Sequence, residues 1–222
     1  METDCPWPTK TIAIQVKHLH CQIDIIANFD DVLETYATQY PDDTDTIPYF
    51  ADIWPSARAL AHYLVMQEDQ IRDQHIIELG CGLGLPAIVA AKLGAASVTA
   101  SDFHPAAIPY CKKNATKNGV AHIRCQQLDW RNPDINMKFD CIIGSDLLYE
   151  EPQIHSLLHC ITQLQKPNSQ LILADPLRKH IQEAANKLES TGWKIELHPI
   201  DEILILHGTR ARHTHTPPAT AH

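Results

Sequence analysis

The chain has 222 residues, 44% of them hydrophobic, which suits one α/β domain with a full core and a small N-terminal addition. With 18 basic residues against 27 acidic ones the formal charge is −9, so the diffuse positive field on which nucleic-acid binding relies is missing, and no local basic run replaces it. The seven cysteines form no C-x-x-C pair, no apolar run is long enough to span a bilayer, and the N-terminus METDCPWPTK lacks the apolar segment of a signal peptide; these features point to a reducing, cytoplasmic setting with no membrane partner.

From Thr11 to Ile26 the chain alternates, with apolar side chains at 12, 14 and 16 and again at 23, 25 and 26 around a break at His18 to His20, the period of two of a β-hairpin. His18 and His20 flank that turn and read as exposed polar residues rather than metal ligands. Asp30 to Tyr40 is helical or irregular, and PDDTDTIP at 41–48 reads as an acidic, proline-bounded surface loop. A helix then starts at Pro55-Ser56, with Ala57, Leu60, Ala61, Leu64 and Val65 on its buried stripe. Trp54 stands just before it and, taken alone, is a packing tryptophan.

The stretch from His75 to Asp102 organises the rest. His75 to Leu79 reads as a short buried strand and runs into Gly80, Gly82 and Gly84, where side chains would keep the backbone from a close approach to a ligand. Pro86 suits the first turn of a helix, Ala87 to Leu93 continues it, and Gly94 is placed as its left-handed stop. A second strand, Ser97 to Ser101, ends at Asp102, about twenty residues past the glycines, where dinucleotide folds place an acid on ribose hydroxyls. The third glycine comes two residues after the second rather than three, and no Gly-Lys-Ser/Thr follows, so a pyrophosphate ligand is disfavoured. Glu78 at the lip of the loop would repel phosphates but suits an ammonium or a sulfonium, the two charges of S-adenosylmethionine.

With these residues the chain resembles the class I, seven-β-strand SAM-dependent methyltransferases, whose first motif has the form E-x-G-x-G-x-G and whose second strand ends in a ribose-binding acid. The resemblance implies an α/β, Rossmann-like, seven-stranded, mostly parallel sheet of order 3-2-1-4-5-7-6, here with an N-terminal β-hairpin extension. The WP-x-x-x-x-L segment at Trp54, immediately upstream of ELG-x-G-x-G, is similar to one subgroup, the protein-lysine methyltransferases related to nicotinamide N-methyltransferase, where this tryptophan lies against the cofactor. The expected organisation is residues 1–53 as hairpin and acidic loop, 54–209 as the methyltransferase domain and 210–222 as a polar, proline-rich, disordered tail.

Beyond Asp102, Phe103 is placed either to cover one face of an adenine ring or to pack as an ordinary buried phenylalanine. A helix opened by Pro105 carries Ile108, Tyr110 and Ala115 and stops at Asn118-Gly119, with Pro109 expected to bend or delay its first turn. A third strand, about His122 to Gln126, leads to Leu128-Asp129-Trp130, where the resembled subgroup has an acid or polar residue and a tryptophan beside the adenine; Asp129 is thereby a partner for the exocyclic amine and Trp130 a ring contact. A fourth strand, Phe139 to Gly144, apolar but for Asp140 as suits a central parallel strand, delivers Ser145 at the sheet edge where open α/β folds bind ligands. Asp146 to Tyr149 then matches the D-x-x-Y signature of the same subgroup. The helix Gln153 to Leu164 carries His155 and His159, but HSLLH lacks the glutamate of HExxH and no metal is expected. A strand Gln170 to Ala174, a helix 177–190, and an antiparallel pair Trp193 to Leu197 and Glu202 to His207 close the chain.

The resemblance implies transfer of a methyl group from S-adenosylmethionine to a lysine amine of a protein, with Asp146 orienting the amine and Tyr149 shaping its channel. A small-molecule N-methyltransferase on the same fold is the alternative, and a binding protein that lost catalysis a third reading. Leu147 and Leu148 stand where enzymes acting on planar amides have two prolines, and the nucleophilic cysteine of cytosine C5 methylation is absent. Asp42, Asp43 and Asp45 precede the Trp54 segment and Glu150 and Glu151 follow the D-x-x-Y element; these are either solvated loop charges that keep the protein soluble or an anionic rim that would favour a partner presenting its lysine on a basic surface.

Overall fold

In the computed structural model, which describes residues 5, 7–40, 47–149, 151–176 and 179–210, the strand predicted at His75–Leu79 is the third of the chain (β3) and the centre of the sheet. It pairs in parallel with β4 (Ser97–Asp102) on one side and β6 (Phe139–Ser145) on the other. With β5 (Arg124–Gln127), β7 (Gln165–Pro176), β8 (Trp193–Ile200) and β9 (Ile203–Arg210) it forms a seven-stranded sheet of order β5-β4-β3-β6-β7-β9-β8. Counted within the sheet this is the expected 3-2-1-4-5-7-6, with β9 the strand antiparallel to its neighbours.

The apolar central strands carry side chains to both faces in strict alternation. Ile76 and Ile143 join a core shared with α2 (Pro55–Met66), α4 (Leu85–Lys92) and α5 (Ala107–Lys117), whereas Ile77 and Ile142 join a second core under α6 (Glu151–Leu164) and α7 (Lys179–Ser190). The hairpin, β1 (Thr9–Val16) and β2 (Leu19–Ile26), and α1 (Phe29–Gln39) pack into the first of these cores through Ile14, Val16, Ile23 and Val32. Asp24, 3% exposed, anchors the hairpin to α5: it accepts from Thr11 Oγ1 at 2.6 Å, pairs with Lys113 at 3.1 Å and with Lys117, and its backbone N–H donates to Asn114 Oδ1 at 2.8 Å. α3 (Glu68–Ile71) is one turn leading into β3.

Several boundaries differ from expectation for local reasons. α5 begins at Ala107 rather than at Pro105, which puts Pro109 in the first turn, where its missing N–H leaves no helical bond unmade. β5 runs Arg124–Gln127 instead of starting near His122; as an edge strand its residues are half exposed and carry little alternation. β7 starts at Gln165, five residues early, because Phe139 pairs with Gln165 and Cys141 with Gln170 across a bulge, inside which Asn168 takes φ +65°. Residues 177 and 178 of the expected helix lie outside the described residues, as does the tail from 211 on.

The sheet order reverses between β3 and β4 on one side and β6 on the other. A crevice opens at the carboxyl ends of such strands, and those ends carry Gly80, Asp102 and Ser145-Asp146.

Candidate active site

A cavity of about 350 Å³ occupies that crevice. Its floor is the glycine loop, from Gly80 to Leu83. Phe103, Asp129 and Trp130 line it, as do Trp54, Asp102, Ser145, Asp146 and Tyr149, so ten of the twelve expected site residues meet at one concavity.

Two do not, and both have a physical reason. Glu78 is fully buried beneath the loop, where its Oε2 accepts the Ala87 N–H at 2.9 Å, one of the donors left over at the start of α4. Burial pushes its carboxyl well above the usual range, opposed by that backbone bond. The expectation that Glu78 stands at the lip facing the ligand is therefore corrected: its carboxylate supports the loop from below. Gly84 likewise turns away from the cavity. It takes φ +86° as the residue before α4, and a Cβ there would lie 2.6 Å from Cys111 Sγ, so its glycine serves the packing of α4 on α5.

Asp102 Oδ2 accepts the Gly82 N–H at 2.8 Å and Oδ1 accepts the His104 N–H at 2.8 Å. Each oxygen keeps a lone pair for a further donor. Burial raises its pKa to about 6, although both backbone bonds pull the other way. Asp129 is tied to Arg131, whose Nε lies 2.9 and 3.0 Å from the two carboxylate oxygens, and the guanidinium holds this acid below its usual value. The same guanidinium stacks 4.8 Å above the Phe103 ring.

The D-x-x-Y segment is built by its two middle residues. Leu147 and Leu148 are 5% and 1% exposed, and Leu147 packs so closely on the glycine loop that a Cβ at Gly80 would meet its Cδ2 at 2.6 Å. Leu148 N–H donates to Asp175 Oδ2 at 3.1 Å, and Asp146 N–H to the Ala174 carbonyl at 2.9 Å. Two leucines held in the core leave Asp146 and Tyr149 at the cavity. The turn requires φ +57° at Asp146, a left-handed conformation that Asp tolerates better than most residues.

Sequence reasoning missed Tyr49, Phe50 and Asp52, which line the cavity from a short 3-10 turn (Tyr49–Ala51) and the residue after it, and also Cys81, His104, Arg131 and Gln153. The clustering of aromatic and acidic residues in YFADIW just upstream of the first site helix was the available signal. Asp42, Asp43, Asp45 and Glu150 of the expected acidic rim lie outside the described residues.

The lining suits a cationic, aromatic-bearing ligand of the kind expected. Asp52, Asp102, Asp129 and Asp146 stand against the single guanidinium of Arg131, which is already paired, and no lysine reaches the cavity among the described residues. A polyphosphate would meet net repulsion there, whereas a sulfonium and an ammonium would be attracted, and Phe103 and Trp130 offer ring surface for a planar base.

A family model described as lysine methyltransferase matches residues 42–188. The chain is 31% identical over 179 residues to EEF1A lysine methyltransferase 3 of Mus musculus, an alignment covering 78% of this chain and 76% of that protein. It is 30% identical over 139 residues to the electron transfer flavoprotein beta subunit lysine methyltransferase of Danio rerio, covering 61% of this chain and 53% of the relative, so the chain spans about half the length of that protein. Among solved structures, the ribosomal protein L11 methylase of Lactobacillus delbrueckii subsp. bulgaricus shares the fold, with a TM-score of 0.61 at 23% identity over 71% of this chain and 79% of that one. The glycine loop, the acid ending β4 and the D-x-x-Y turn all fall inside the matched residues, and the chain belongs to the lysine methyltransferase family.

Proposed function

We propose that the protein transfers a methyl group from S-adenosylmethionine to the side-chain amine of a lysine in a protein substrate. The observation that carries this reading is the convergence of Asp102, at the end of β4, and Asp146 with Tyr149, at the end of β6, on one cavity of net negative lining, in a chain of this family. The cofactor, when bound, supplies an electrophilic methyl group on a positively charged sulfur.

In this reading the residues divide the work. Asp102 accepts ribose hydroxyls with the lone pairs that Gly82 and His104 leave, Phe103 and Trp130 flank the adenine, and Asp129 takes its exocyclic amine. Gly80 and Gly82 let the backbone approach, and Trp54 and Ser145 border the methionine end. Glu78 and Gly84 act indirectly, by fixing the loop. Asp146 steers the incoming ammonium and holds the nitrogen once its proton has left, and Tyr149 walls the channel. The lysine amine, with an ordinary pKa of about 10.4, is shifted down by desolvation beside the cationic sulfur, which releases the lone pair. Positioning supplies most of the rate.

The proposed setting is cytoplasmic, since no disulfide joins the cysteines among the described residues, and the proposed partner is a protein rather than nucleic acid or membrane. No helix among the described residues is long and apolar enough to cross a membrane. Incubation with methyl-labelled S-adenosylmethionine and a cell lysate, followed by separation of macromolecules from small molecules and mass spectrometry of labelled proteins, tests the reading. Label on lysine side chains supports it; label confined to small molecules overturns the substrate class.

A further inference from the structure

Tyr49 stands between two other rings. Its ring centroid lies 6.3 Å from Trp54 at 66° and 6.0 Å from Tyr149 at 61°, both edge-to-face. Trp54 Nε1–H donates to the Tyr49 carbonyl at 2.7 Å, which fixes the backbone of the 3-10 turn. These are 46%, 40% and 40% exposed for Tyr49, Trp54 and Tyr149, three of the seven exposed large apolar side chains among the described residues, and all three border the same cavity. Exposed aromatic surface gathered at one mouth marks a binding surface rather than incidental exposure. Asp52 and Asp146 line that cavity beside the rings, so the occupant it fits is a cation with apolar substituents.

This bears on how many methyl groups the nitrogen receives, a question that rests on the lysine-transfer reading. A protonated lysine offers three N–H donors to a carboxylate, a monomethyl-lysine two, a dimethyl-lysine one and a trimethyl-lysine none. A site relying on Asp146 alone would lose hold of its substrate as methyl groups accumulate. A ring face needs no N–H, because it attracts the positive charge spread over the methyl groups. We propose that Tyr49 and Tyr149 are two walls of an ammonium site that keeps its grip on partly methylated lysine, so that the enzyme carries the same nitrogen to the di- and trimethylated states, with Trp54 as the positioning residue that holds Tyr49. In each round the nitrogen lone pair forms the new N–C bond while the electrons of the S–C bond return to sulfur, leaving a neutral thioether and an alkylammonium. One N–H proton leaves to solvent before the second and before the third round. After the third neither proton nor lone pair remains, and transfer stops.

Two measurements on the full chain test this. The first needs no turnover: binding of N-acetyl-trimethyllysine amide and of its uncharged carbon isostere, followed by tryptophan fluorescence and nuclear magnetic resonance. The charged probe is expected to bind roughly fivefold or more tightly, a preference lost in Tyr49→Ala and Tyr149→Ala and largely kept in Tyr49→Phe, whose far-ultraviolet circular dichroism serves with that of the alanine variants as the check of folding. The second is mass spectrometry of the methylated substrate: Tyr49→Ala is expected to shift product toward the monomethyl state, whatever its total rate, and Tyr49→Phe to restore the parent distribution. Equal binding of the two probes by the parent protein, or an unchanged product distribution in folded Tyr49→Ala, overturns the inference while leaving methyl transfer intact. Absence of any transfer would instead remove the lysine-transfer reading, and the charge preference in binding would still decide the ring walls.

Discussion

Asp102 holds the glycine loop directly: its Oδ2 accepts the Gly82 N–H at 2.8 Å, tying the end of β4 to the turn that follows β3. The acid proposed to bind the ribose is thus also the latch of the loop beneath it. Burial lifts its pKa to about 6, so the charged form is complete only above that pH. A carboxylate accepts hydroxyl hydrogen bonds better than the acid does, and cofactor affinity is therefore expected to be flat at pH 7 to 8 and to fall by about tenfold one unit below the pKa. Isothermal calorimetry from pH 5 to 8 measures this, with Asp102→Asn as the variant in which the pH dependence should vanish. A parent profile that stays level through pH 5 would detach Asp102 from the ligand.

Gly84→Ala tests packing rather than binding. At φ +86° an alanine carries left-handed strain of about 1–2 kcal/mol, and its Cβ would sit 2.6 Å from Cys111 Sγ. The expected loss is about 2–3 kcal/mol, from strain and overpacking together. Adding Cys111→Ala should return the overpacking share and leave the strain. Denaturant melts of the two single variants and the double variant check this, and strict additivity would show that the thiol is not the obstacle.

Asp24 is the pH-dependent link between hairpin and body. Burial by itself would raise its pKa, but the bonds from Lys117, Thr11 and Lys113 override it and hold the group at about 2. A depressed carboxylate contributes stability that is full above its unfolded value, near 3.8, and disappears as pH falls through about 2. Asp24→Ala at pH 7 should destabilise by about 2 kcal/mol, less than the roughly 3–5 kcal/mol of a fully buried pair, because both lysines reach solvent. At pH 2 parent and variant should converge. Urea melts at the two pH values read the difference, and an equal gap at both would mean that charge is not what Asp24 supplies.

Asp146→Asn separates charge from backbone. Asparagine accepts φ +57° as readily as aspartate, so the D-x-x-Y turn should survive with its Leu147 and Leu148 packing. Methyl transfer is expected to drop at least a hundredfold, within the range typical of general acid-base and steering groups, with cofactor affinity changed by no more than a few fold. Parallel loss of both in calorimetry and turnover would make Asp146 a cofactor ligand instead of a substrate one.

The sequence determined the sheet and the motifs that end its strands. Continuous apolar runs such as Cys141 to Gly144 can be buried only between two helical layers, and glycines after β3, an acid after β4 and D-x-x-Y after β6 are local patterns that need no knowledge of the rest of the chain. Which way each side chain points was decided by tertiary packing. Glu78 falls between Ile77 and Leu79, both committed to the α6 and α7 core, so strand alternation sends it to the opposite face, under the start of α4, where a backbone N–H is waiting. Gly84 is a glycine because of Cys111, 27 residues further on, and Tyr49 joins Tyr149 across 100 residues of chain. Contacts of that separation leave no periodicity in the sequence; they exist only once the parallel strands have brought their carboxyl ends to one edge of the sheet.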